Sequence, residues 1–344
     1  MKKLLSILIP AIMLLTMTGC TDSDKNSTSS TTSSEVAVEI TKAEKSFSVD
    51  GTKLLDANGN EFVMRGVNHA YAWFKPETPI ALDAIAKTGS NTVRIVLADG
   101  VQWDKVDIDS VRSLIDQCKE LKMIAVLEVH DATGYSKIQD LETAAQYWID
   151  IKDALIGEED HVILNIANEW SGLWENESET WTKGYTSVIP KLREAGIKNT
   201  ILVDSAGWGQ DVSSIQKRGK EVFESDPLKN TMFAVHFYGT AGGTAQKIES
   251  ALSGIQSQGL CVCVGEFGYD HTDGDVDEDF IMKYCTEKNI GYLGWSWKGN
   301  GSPVEYLDIS TDWEGTKLSA DWGEKLINGE YGIRKTSKPC SVFK

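Results

Sequence analysis

A (β/α)8 barrel is the fold that this chain of 344 residues predicts, and three observations carry that reading. Apolar runs of strand length begin near Phe62, Asn91, Met123, Val162, Thr200, Met232, Leu260 and Tyr292, recurring roughly every 30–40 residues, the size of a β-α-β unit. Most of the gaps hold apolar residues at three- and four-residue spacing, the helical period. The strand runs are continuously rather than alternately apolar, so both faces are buried, as in parallel sheets covered by helices. Eight such units over about 290 residues close a barrel better than they fill an open sheet.

The segments before the first strand belong to a different problem. Met1-Lys2-Lys3 is basic, and Leu4 to Met17 is apolar but short for a bilayer span. Thr16-Met17-Thr18-Gly19-Cys20 follows; a small pair before a cysteine resembles a bacterial lipobox. Residues 1–20 therefore read as a lipoprotein signal with Cys20 the lipidated residue, which places the protein outside the cytoplasm on a membrane anchor; ordinary secretion is the alternative. Thr21 to Ser34 is almost entirely Ser, Thr, Asp, Lys and Asn, too polar to bury a core. Residues 21–45 are expected to be a tether, and residues 46–344 the barrel domain.

Between the strands, helical patterns run over Ile80–Thr88, Ile108–Leu121, Leu141–Leu155, Trp181–Ala195, Ala245–Ile255 and Val276–Cys285. Asp107, Asp140 and Asp275 stand where an N-cap belongs, and Gly89, Gly157 and Gly196 where helices stop.

The chemistry is concentrated at the strand ends. Glu169 follows Val162-Ile163-Leu164-Asn165-Ile166-Ala167, and Glu266 follows Leu260-Cys261-Val262-Cys263-Val264. A carboxylate at the end of a buried strand is costly unless hydrogen-bonded or used. Two of them, brought to the same mouth of a barrel, form the pair that glycosidic hydrolysis needs. Four of the five histidines, His69, His130, His236 and His271, also lie at or just beyond strand ends. So do Trp170, Trp174, Trp208, Trp295 and Trp297, with Trp73 and Trp103 in the loops. Flat rings stack on the apolar faces of sugars, so a tryptophan-lined rim suits a glycan; Trp148 and Trp295 read as core.

Other classes fit poorly. The formal charge of −17 disfavours nucleic acid and anionic surfaces, but suits a neutral polysaccharide. Without Cys20 the cysteines are odd in number and irregularly spaced, which is neither a disulfide framework nor a zinc site. Cys261 and Cys263 share one strand face and should be buried. The acidic run Asp273 to Asp279 starts like a calcium loop, but Glu278 replaces the turn glycine and Tyr284 the closing glutamate. It reads better as the start of a helix.

Arg94, His130, Asn168-Glu169, His236-x-Tyr238, Glu266 and Trp297 stand in the order and strand positions of glycoside hydrolase family 5. Met64-Arg65-Gly66-Val67-Asn68-His69, Glu128 to Gly134, Ile166 to Trp170 and Trp295-Ser296-Trp297-Lys298-Gly299-Asn300 resemble its bacterial endo-β-1,4-mannanases. The resemblance implies a retaining double displacement on a β-mannan by a cofactor-free monomer. Glu169 would be the acid/base and Glu266 the nucleophile. Arg94 and Tyr238 would hold Glu266 anionic, Asn168 would bond the sugar 2-hydroxyl, and His130 and His236 would orient the site. Trp297 would floor the cleaved sugar, with Trp73, Trp170 and Trp208 as further binding residues. A β-1,4-glucanase and a non-catalytic glycan-binding lipoprotein are the other readings of the same barrel.

Overall fold

The structure, a computed structural model, describes residues 40–174 and 178–344. The signal, Cys20 and most of the tether lie outside them. In chain order the strands are β1 (Ser48–Asp50), β2 (Lys53–Leu55), β3 (Arg65–His69), β4 (Thr92–Leu97), β5 (Ile124–Val129), β6 (Val162–Asn165), β7 (Ile201–Asp204), β8 (Thr231–Phe237), β9 (Val262–Phe267), β10 (Asp270–His271), β11 (Gly274–Asp275) and β12 (Gly291–Gly294). Eight of them, in the order β12-β3-β4-β5-β6-β7-β8-β9, are parallel and close into a barrel. All eight apolar runs of the sequence are barrel strands.

The helices are α1 (Thr78–Lys87), α2 (Ile108–Glu120), α3 (Ile138–Asp150), α4 (Ser178–Glu194), α5 (Val212–Ser225), the single turn α6 (Gly239–Gly242), α7 (Ala245–Gln256), α8 (Glu278–Glu287), α9 (Gly323–Asn328) and α10 (Ile333–Thr336). Asp107 caps α2 as expected, accepting from the Ser110 amide at 2.9 Å. The other two expected caps are displaced. Asp140 lies inside α3 and reaches back to the Lys137 amide, while α8 is capped by Asp277 rather than Asp275. The helix predicted to reach Leu155 breaks at Asp150 into a short 3-10 turn, Lys152–Ala154. Gly89, Gly157 and Gly196 all take positive φ, near 90–95°, the conformation that ends a helix at lowest cost in glycine.

The strand period of two sorts side chains into two layers. Along β5, Ala125, Leu127 and Val129 face the helices, while Ile124 and Val126 enter the barrel core. Cys261 and Cys263 lie in that interior layer, and the described cysteines are buried and unpaired. The hairpin β1–β2, with Phe47, Phe62 and Met64, joins the interior cluster from below. Parity then places Arg94, between outward Val93 and Ile95, and Glu128, between outward Leu127 and Val129, on the interior face. In β9 the parity breaks. Val235 pairs with Val264 but His236 pairs with Glu266, so Gly265 is an extra residue, a bulge. That bulge turns Glu266 inward beside His236, although Val264 and Phe267 both face the helices. A Cβ at Gly265 would sit 3.0 Å from the His236 ring.

Candidate active site

Arg94 is the hub of the barrel mouth. Its guanidinium, fully buried, makes five hydrogen bonds: Nη1 donates to Glu266 Oε1 (2.7 Å) and Asn68 Oδ1 (2.9 Å), Nη2 to Asn165 Oδ1 (2.8 Å) and Asn168 Oδ1 (2.6 Å), and Nε to Asn165 Oδ1 (3.2 Å). Burial alone would favour its neutral form, but Glu128, Glu266 and Asp204 outweigh that and hold it charged. A buried cation is tolerated only with partners of this quality.

The two glutamates sit in opposite environments. Glu266 accepts from Arg94 and, at Oε2, from the Tyr238 hydroxyl at 2.9 Å. Burial pushes its carboxyl up, but His236, Arg94, His130 and the Tyr238 hydrogen bond pull it below the ordinary range. Glu169 has no arginine. Burial, reinforced by the charge of Glu266, raises its carboxyl against the hydrogen bond to His236 Nδ1 at 2.7 Å. One side chain is therefore held ionised and the other biased toward its proton. A carboxylate oxygen of each lies within 4.8 Å of one of the other, with a ring nitrogen of His236 inside the same radius. Glu169 also has φ +45°, a left-handed backbone, pinned by its amide donating to Asp204 Oδ2 at 2.9 Å. Strain of this kind, about 1–3 kcal/mol, collects at functional sites.

Around this pair, His236 bridges from Glu169 (2.7 Å) toward Glu266 (3.7 Å) and Asp204 (3.6 Å). Burial would lower its imidazole, yet those three carboxylates push it up to about 9. His130 Nδ1 lies 3.0 Å from Glu128 Oε1, and its far face meets Asn168 Nδ2 at 3.5 Å. Asn68, Asn165, Asp204 and Glu128 were not among the sequence candidates for the site. Their signal was available, because each is a polar residue within or closing an otherwise apolar strand. His69, by contrast, is structural: its Nε2 pairs with Thr78 Oγ1 at 2.8 Å and burial drives its imidazole down to about 3. His271 lies at the rim with its ring 4.5 Å from that of Tyr238.

The aromatic expectations divide. Trp73 and Trp208 are exposed at the rim, as expected. Trp170 is not at the site: it is fully buried, its Nε1 donating to the Lys137 carbonyl and its ring packed on Tyr185 and Gly184 of α4. The left-handed turn at Glu169 sends the next side chain outward. Trp297 is also fully buried, bonded to the Trp313 carbonyl and packed against Gly315. Trp295, expected in the core, is the half-buried ring at the mouth. It stacks on His130 with centroids 5.9 Å apart and planes at 26°, and joins Trp73 and Trp103, which ring His130 at 5.2 and 5.8 Å.

Asp273, Asp277, Glu278 and Asp279 are engaged within the protein, by the Gly239 and Thr240 amides, the Phe280 amide and Lys325. The loop thus behaves as a helix entry rather than a converging ligand set.

A buried carboxyl pair of opposite proton affinity at the carboxyl-end mouth of a (β/α)8 barrel, flanked by exposed tryptophans, defines a glycoside hydrolase class of site. The chain belongs to glycosyl hydrolase family 5: the family's model, described as cellulase, matches residues 55–301. It is 54% identical over 297 residues to a mannan endo-1,4-beta-mannosidase of Salipaludibacillus agaradhaerens, covering 86% of this chain and 96% of that protein. A beta-mannanase structure from Thermomonospora fusca is similar with TM-score 0.82 and 40% identity, covering 87% of this chain and all of the other. The mannohexaose complex of the Thermomonospora fusca beta-mannanase matches at TM-score 0.81 and 39% identity, with 87% and 100% covered.

Proposed function

We propose that this protein is a retaining endo-β-1,4-mannanase, with Glu266 the nucleophile and Glu169 the acid/base. The observation that carries the chemistry is the close pair itself. Carboxyl oxygens within 4.8 Å of each other suit the close spacing of a retaining pair, about 5–5.5 Å, better than the roughly 6.5–9.5 Å that an inverting enzyme keeps for its water. Glu266, held ionised by Arg94, attacks the anomeric carbon while the Glu169 proton passes to the departing glycosidic oxygen. Glu169, now a carboxylate, then takes a proton from water, whose oxygen displaces Glu266 and restores both groups. The His236 N–H at 2.7 Å stabilises the carboxylate form of Glu169 between the two steps. Asn168 is held beside the pair, its Nδ2 donating to Thr133 Oγ1 at 3.0 Å and its Oδ1 accepting from Arg94, and Trp295 supplies a flat face at the mouth.

The mannan assignment is supported by the relatives' names, and endo action by aromatics along the mouth beyond the pair: exposed Trp73 with half-buried Trp103 and Trp295, and exposed Trp208. Reducing-sugar release from galactomannan and glucomannan, measured beside carboxymethyl-cellulose, tests the substrate. Proton NMR of the first product tests the stereochemistry. Faster cleavage of the cellulose would make the protein a glucanase, and an α-anomer appearing first would overturn retention.

The basic start, short apolar stretch and Thr18-Gly19-Cys20 further support a lipid anchor at Cys20, with the barrel acting as a monomer at the membrane surface. In a bacterial host Cys20→Ala should move active enzyme to soluble fractions or leave it unprocessed. Wild-type protein lacking lipid by mass spectrometry would remove the anchor.

A further inference from the structure

The loops after β6 and β7 carry a second exposed tryptophan that the catalytic pair does not use. Trp174 is 42% exposed, beside Trp208 at 47%. The two loops are zipped together: the Gly207 amide donates to the Ser171 carbonyl at 2.7 Å. Each ring lies against glycine backbone. A Cβ on Gly207 would come within 2.9 Å of the Trp174 ring, and Cβ atoms on Gly134 and Gly172 within 2.2 and 3.1 Å of Trp208. Both rings are thus held open toward solvent by tight packing, which is costly for large apolar surfaces unless they meet a partner.

Trp174 is one wall of a cavity of about 450 Å³ that opens at the amino ends of α5 and α7. Its other walls include Gln210, Ser213, Gln216, Gln246 and Ser250. Neutral amides and hydroxyls dominate, with Asp211 and Lys247 offsetting one another. An aromatic plate facing uncharged donors and acceptors suits a neutral sugar better than a peptide, nucleotide or lipid headgroup. The cavity is also tied by backbone to the active-site mouth. Gly209, one residue before Gln210, accepts from the His236 amide at 2.8 Å, and His236 holds Glu169.

We infer that this groove is a remote glycan-binding site, engaging β-mannan units that lie past the acid/base side of the cleft and giving the enzyme a preference for long chains. The inference rests on the mannanase reading. A short substrate occupies only the cleft; a polymer also lays a distant unit on Trp174, with hydroxyls toward Gln216 and Gln246.

The test compares Trp174→Ala and Gln246→Ala with wild type on polymeric mannan and on mannotetraose. For the groove, KM on the polymer rises about three- to tenfold in Trp174→Ala while kcat and all constants on mannotetraose stay at wild-type values. Gln246→Ala should move the polymer KM in the same direction. Equal loss on both substrates, or no loss on either, overturns the groove. Absence of mannan cleavage by the wild type would instead overturn the mannanase reading. A Tm within a degree of wild type checks that Trp174→Ala is folded, and mannohexaose titration by tryptophan fluorescence reads the site independently of turnover.

Discussion

At the level of single residues, opposite proton affinities divide the work of two chemically identical side chains. Glu266→Gln removes the nucleophile but leaves an amide whose oxygen can still accept from Arg94 and whose nitrogen can donate to the Tyr238 hydroxyl. Turnover should fall at least about a thousandfold, about 4 kcal/mol of barrier, with oligosaccharide binding retained in calorimetry. Glu169→Ala should be slow on mannan but partly restored on an activated aryl mannoside by azide, because a good leaving group needs no proton and azide needs no base. Equal, unrescued losses on both substrates would give Glu169 another role. The tryptophans make a second contrast. Trp297 is sealed under the Trp313 loop, so Trp297→Ala should cost about 3–5 kcal/mol of stability. Trp295 stacks on His130 at the mouth, so Trp295→Ala should change Tm little and cut kcat/KM about tenfold or more. Chemical denaturation beside steady-state kinetics separates the two.

Elements show which features composition reveals. The eight barrel strands stand out in the sequence because burial on both faces forces unbroken apolar runs, and each run survives as a strand. The hairpin β1–β2 does not, because three residues per strand are too few for a period. Helix α5 was missed for a related reason: its buried face is Ser214, Ile215, Gly219 and Val222, so just two of its buried side chains are large and apolar. The inward turn of Glu266 and the outward turn of Trp170 come from local backbone departures that parity cannot foresee. The bulge at Gly265 is one of them. The strand pair β10–β11 also has a task. Asp273 Oδ1 accepts from the Gly239 amide (3.0 Å) and from His271 Nδ1 (2.9 Å), Oδ2 from the Thr240 amide (2.8 Å), and the His271 ring lies on Tyr238. This clamp fixes the Tyr238 hydroxyl on Glu266. His271→Ala should therefore lower kcat about fivefold to tenfold, the worth of one hydrogen bond. It should also move the acid limb of the pH profile upward, since Glu266 loses a donor that lowers it. Tyr238→Phe should shift the limb the same way, and the double variant should be no worse than Tyr238→Phe alone. Additive losses would make the clamp irrelevant to Tyr238.

Across the whole molecule, two buried histidines tie folding to pH in opposite senses. The Thr78 hydroxyl donates to the Phe74 carbonyl at 2.9 Å and so accepts from His69 Nε2–H, leaving Nδ1 bare and buried. Protonating that nitrogen would bury an unpaired charge, which is why burial holds the imidazole near 3. The unfolded chain takes up that proton near pH 6.5. Between about 6.5 and 3 the unfolded state therefore binds more protons, and His69 subtracts stability as pH falls, by up to about 1.4 kcal/mol per pH unit. His236 has the reverse sign. Its imidazole is raised to about 9 by Glu266, Asp204 and Glu169 against burial, so its stabilisation is complete below about 6.5 and is lost as pH climbs toward 9. The two slopes meet near pH 6.5, where Tm should peak. The formal charge of −17 adds surface repulsion that weakens on acidification, so the His69 contribution is read as a difference. His69→Gln can keep a donor toward Thr78 without a proton to gain. Its Tm should fall less steeply than that of wild type between pH 6.5 and 4, with the alkaline limb unchanged. Parallel acid limbs for the two proteins would show that His69 carries none of the acid sensitivity.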